Sequence, residues 1–110
     1  MMTIRTVLIA SFLIVSTLYA HAQEIPRYDP AGYGKDVSDV SGGSAMIYNG
    51  CMKMEQEAYD DLRPVWSGVP SQTRSYCDEV ANVSGSSYSI LKGCVEMEAN
   101  ASASRPEFKF

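Results

Sequence analysis

Residues 76–101 read YCDEVANVSGSSYSILKGCVEMEANA, and nearly half of that stretch has already occurred once, 43 residues earlier. Laid over residues 33–58, it shows identities at Tyr33, Val37, Val40, Ser41, Gly42, Ser44, Ile47, Gly50, Cys51, Met54, Glu55 and Ala58, 12 of 26 positions without a gap. A match at a fixed offset is the signature of a duplicated supersecondary unit. The informative mismatch is Gly34, which stands where the second copy has Cys77. Within each copy, apolar positions recur at helical spacing on both sides of a Ser-Gly turn. The sequence therefore predicts an all-α fold of two tandem αα-hairpins, about four helices in all.

Working outward, Asp29-Pro30 reads as an N-cap followed by proline at the first helical position. It opens a short helix to about Val40 with Tyr33, Val37 and Val40 on one face. Gly42 is placed to end that helix, and Ser44 to cap the next. The longest helix is expected from about Ala45 to Arg63, where Pro64 stops it. Its apolar stripe would be Ile47, Cys51, Met54, Ala58, Leu62 and Val65, and Trp66 would plug the core just beyond. Ser71 is expected to cap a third helix to about Val83 with Tyr76, Cys77, Val80 and Val83 inward. A fourth, about Tyr88 to Ser102, would turn Ile90, Cys94, Met97 and Ala101 inward.

The start of the chain belongs to targeting rather than fold. Arg5, the apolar run Val7 to Ala20 and the small-x-small site Ala20-His21-Ala22 mark residues 1–22 as a signal peptide, too short a run to be a membrane anchor. Residues 23–28 then form a flexible leader and residues 29–104 the helical domain. Repeat 1 occupies about 29–66 and repeat 2 about 71–104, and residues 105–110 are a tail expected to pack on the helices. Export leads to the periplasm or the medium, where one disulfide is expected among Cys51, Cys77 and Cys94. Cys77 and Cys94 are equidistant from the centre of the Gly85-Ser86 turn, so they face each other across the hairpin. Cys51 cannot reach Cys77, because their distances from the Gly68 connector differ by roughly 12 Å of helix. That leaves Cys51 a free thiol on the apolar stripe, and a monomer rather than a Cys51-linked dimer.

The run Cys51-x-x-x-Glu55-x-x-Ala58-Tyr59-x-x-Leu62-x-x-x-Trp66, followed by Cys77 and Ser87-Tyr88…Leu91…Cys94, resembles a family of small, uncharacterised exported alphaproteobacterial proteins with duplicated cysteine-containing helical hairpins. The resemblance implies a cysteine at the position of Gly34, which this chain lacks, and it carries no catalytic residue.

Composition narrows the chemistry further. The only histidine, His21, lies in the signal peptide, which removes Ser-His-Asp and Cys-His arrangements and most zinc sites from the mature chain. No phosphate-binding glycine loop is present, and no cofactor or enzymatic activity is expected. After cleavage the chain holds eight Lys and Arg against 13 Asp and Glu, a charge of −5, which argues against nucleic acid and anionic membranes as partners. Glu55, Glu57, Asp60 and Asp61 would form an acidic patch on the long helix, able to dock an unknown, basic protein partner. The expected function is thus a small exported binding module. The alternative is a thiol or Cu(I) handler in which Cys51 and Met54 place two soft sulfur ligands one turn apart.

Overall fold

The computed structural model describes residues 24–110, so the signal peptide expected at 1–22 lies outside the described residues. Among the described residues four helices follow one another: α1 (Pro30–Val40), α2 (Ala45–Leu62), α3 (Ser71–Val83) and α4 (Tyr88–Ala103), with a 3₁₀ turn at Trp66–Gly68. No strand occurs among the described residues. The expected hairpins are α1–α2 and α3–α4, and they join through α2 against α4, giving the lateral order α1, α2, α4, α3.

The boundaries have local causes. Asp29 accepts from the Gly32 amide and Pro30 occupies the first turn of α1, while Ser44 accepts from the Ile47 amide at the start of α2. Both hairpin turns need left-handed backbone, supplied by Gly42 and Gly43 (φ 75° and 80°) and by Gly85 and Ser86 (φ 96° and 59°). In each, an amide reaches back across the helix end: Gly43 N to Ser38 O, and Ser86 N to Ala81 O. Pro64 ends α2 as expected. Ser71 differs from expectation. It is the first residue of α3 rather than its cap, and Pro70 precedes it without any side-chain cap.

Cys77 and Cys94 form the disulfide that joins α3 to α4, with Cα atoms 5.5 Å apart, and Cys51 is free. The core comprises Ala58, Leu62, Trp66, Cys77, Ala81, Tyr88, Leu91 and Val95. That set corrects the expected inward faces in part. Met54 and Met97, placed inward by the spacing, are 61% and 73% exposed, and Val40, Val65, Tyr76 and Val83 also face solvent. Ala101 is exposed as well. Ala58, Leu62, Trp66 and Cys77 are buried as the spacing predicts, whereas elsewhere the buried positions lie one residue further along: Gly34 and Ser38 in α1, Glu55 in α2, Ala81 in α3, Leu91 and Val95 in α4. A one-residue step is about 100° around a helix, enough to exchange a buried position for an exposed one.

The two ends of the domain also depart from expectation. The leader, expected to be flexible, is strapped to the core from Glu24 onward, with Ile25 and Tyr28 packed against the apolar cluster. The tail, expected to pack on the helices, is exposed throughout residues 105–110, and Phe108 and Phe110 stack only edge to face on each other at 5.0 Å.

Candidate functional site

Glu55 is the residue that turns the α2 face. It is 1% exposed, and its carboxylate lies at the N-terminus of α4. Ser87 Oγ donates to Oε1 at 2.5 Å, the Ser89 amide to the same oxygen at 3.2 Å, and the Tyr88 amide to Oε2 at 2.6 Å. The Ser87 hydroxyl in turn accepts from the Ile90 amide at 3.4 Å. The three orphan amides of the first turn of α4 are thereby satisfied, two by a carboxylate from another helix and one by the local cap. A negative charge at a helix N-terminus is favourable, and three charge-assisted bonds, two of them short, offset its desolvation. This requirement draws Glu55 inward and leaves Met54 outside.

Glu55 therefore does not belong to an exposed acidic patch. Its expected companions do stay at the surface. Asp60 accepts from Gln56 at 2.9 Å, Glu57 lies 4.0 Å from Lys53, and Asp61 accepts from Lys92 at 2.9 Å. Lys92 also approaches Glu96 at 3.7 Å, so one lysine ties the acidic edge of α2 to that of α4.

Beside Glu55 stands an aromatic cluster. The Tyr88 ring lies between Tyr28, with centroids 4.7 Å apart, and Tyr59, at 5.0 Å and nearly edge-on. Tyr88 Oη donates to the Pro26 carbonyl at 2.7 Å and accepts from the Tyr28 amide at 2.9 Å. Tyr28 Oη donates to Asp78 at 2.5 Å, and Trp66 Nε1 donates to the Glu24 carbonyl at 3.0 Å. Burial, then the bond to the Asp78 carboxylate, pushes the Tyr28 hydroxyl well above the ordinary tyrosine range; Tyr88 is raised mainly by burial. These are groups held protonated, suited to binding by hydrogen bond rather than to proton transfer.

The soft-metal alternative gains little from the fold. Cys51 is half-buried while Met54 is largely exposed, and the equivalent sulfur of the second hairpin, Cys94, is consumed by the disulfide. Among the described residues no group of three or more His, Cys, Asp or Glu is placed to hold a metal ion, and no helix is long and apolar enough to cross a membrane.

Sequence reasoning missed Tyr28, Ser87 and Tyr88 as a cluster. The usable signals were Ile25 and Tyr28 on either side of Pro26-Arg27, two large apolar side chains in a six-residue leader, and the identity of Glu55 with Glu98 across the 43-residue offset. Comparison with protein-family models, curated proteins and solved structures finds no match.

Proposed function

We propose that the chain is a small exported helical module that works outside the cytoplasm, in the periplasm or the medium. There it binds a basic protein partner and catalyses no reaction of its own. The observation that carries this reading is the outer edge of α2 and α4. Glu57, Asp60, Asp61 and Glu96 are presented to solvent there, with Lys53 paired to Glu57 and Lys92 to Asp61 and Glu96. With a charge of −5 over residues 23–110, such an edge steers a cationic surface toward itself and discriminates against anionic ones. The Cys77–Cys94 bond fits an oxidising compartment, and the absence of histidine after residue 21 removes the commonest general base. A protein inhibitor of a basic cell-wall enzyme such as lysozyme is the concrete form this reading takes.

Affinity retrieval from a periplasmic extract, at low and at high salt, tests it. The unaltered chain should retain a basic protein at low salt and release it at high salt, and the Glu57→Lys/Asp60→Lys variant should retain none. Retention indifferent to both salt and charge reversal would place docking elsewhere.

A further inference from the structure

The segment Glu24–Tyr28 reaches the domain in the manner of a bound peptide. Pro26 fixes its own φ and biases Ile25 toward an extended conformation, and Pro30 keeps Asp29 out of the helical region, at φ −110° and ψ 86°. The segment's backbone makes three bonds to the domain: the Glu24 carbonyl to Trp66, the Pro26 carbonyl to Tyr88 and the Tyr28 amide to Tyr88. The bond from Tyr28 Oη to Asp78 reads a side chain. The domain's contacting groups come from three separate places in the chain, the 3₁₀ turn, α3 and α4. Trp66 and Tyr88 are almost fully buried beneath the segment, with their N–H and O–H groups aimed at its carbonyls. Aromatic walls whose donors meet the carbonyls of a proline-containing strand are how domains recognise extended peptides. Open grooves continue the track on both sides. One, about 260 Å³, is bordered by Ser71, Ser75 and Asp78; the other, about 240 Å³, by Met52, Gln56 and Tyr59.

We propose that Glu24–Tyr28 is a ligand held in cis, and that the track beneath it is a receptor for an extended Pro-x-Tyr segment of a partner protein, which displaces it. The proposal is independent of the acidic edge. Because the recognition is mostly of backbone, any extended segment able to place a proline over Tyr88 and a tyrosine beside Asp78 satisfies the same bonds. The segment leaves the domain through Asp29, the cap of α1, so release requires rotation at one residue and leaves the four helices in place.

The test uses a fluorescent synthetic peptide spanning residues 23–29 and two forms of the mature chain, the unaltered one and Ile25→Ala/Tyr28→Ala. The variant should keep its helix content and bind the peptide saturably in one-to-one ratio. The unaltered chain, its track already filled, should bind far less. A peptide carrying phenylalanine in place of the tyrosine should bind the variant about tenfold more weakly, through loss of one bond to a charged acceptor. A helical variant that does not bind the peptide overturns the proposal, and so does equal binding by both forms. Should the variant unfold, hydrogen exchange on the unaltered chain decides. Exchange of the Trp66 indole and the Tyr28 amide well ahead of the α3 and α4 amides supports displacement, whereas exchange only with global unfolding makes the segment a permanent clasp and overturns it.

Discussion

At the scale of single residues, the fold depends on polar atoms placed where apolar ones would be expected. Glu55→Gln keeps size and shape but sets an amide nitrogen against a helix-start donor. A loss of about 2 kcal/mol in urea unfolding is expected, and a larger loss for Glu55→Ala, which strands Ser87 Oγ and two amides. A loss within error for both would mean that Glu55 does not hold α4. Tyr28 gives a pH dependence. Its hydroxyl is raised by burial first and by Asp78 second, from an ordinary value of 10.0. A raised acid favours the protonated folded form. Its contribution is therefore complete below about pH 10, where the unfolded tyrosine titrates, and is lost as pH climbs above that toward the folded value. Tyr88 is shifted in the same direction. Unfolding free energies measured across the alkaline range should fall, and Tyr28→Phe should flatten that fall; an identical slope in the variant would assign it to other groups.

At the scale of the helix pair, the hairpins were legible because turn chemistry and spacing are local. Gly42 and Gly85 lie at the turns, and the equidistance of Cys77 and Cys94 from the second turn identified the bond. Removing that bond with Cys77→Ser/Cys94→Ser should cost roughly 3 kcal/mol, read as a lower midpoint in denaturant, since α3 packs chiefly on α4. The first hairpin has filled the equivalent space differently. A Cβ at Gly34 would meet the Tyr48 ring at 3.2 Å and Met52 Sδ at 3.5 Å, where the second hairpin has the smaller Leu91 and Val95 at the same offset. Gly34 is thus covered by larger neighbours rather than left vacant. Gly34→Cys alone should bond to Cys51 poorly, because the ring must move. Gly34→Cys/Tyr48→Leu should close the bond and raise the melting temperature by several degrees. Thiol counting and thermal melts decide between them, and a doubly substituted chain with both thiols still free would show that Gly34 and Cys51 are not opposed as Cys77 and Cys94 are.

At the scale of the whole molecule, the lateral order α1, α2, α4, α3 leaves no helix enclosed on all sides, and apolar side chains such as Val83 stay in water even though helical spacing aligns them with the core. The sequence by itself determined helix number, helix limits to within about a residue, both turns and the Cys77–Cys94 pairing. Each of these depends on residues near in sequence, through caps, left-handed turns and the rise of a helix. It could not set the rotation of each helix about its axis, which decides whether Met54 or Glu55 faces inward. That rotation follows from the need to satisfy the amides at the start of α4, 32 to 34 residues away. Nor could it show that Trp66 and Tyr88 would find their hydrogen-bond partners in the leader, 42 and 62 residues from them. Periodicity records only that a residue is apolar, whereas burial of a polar atom is decided by whichever partner the tertiary fold brings within 3 Å or so of it.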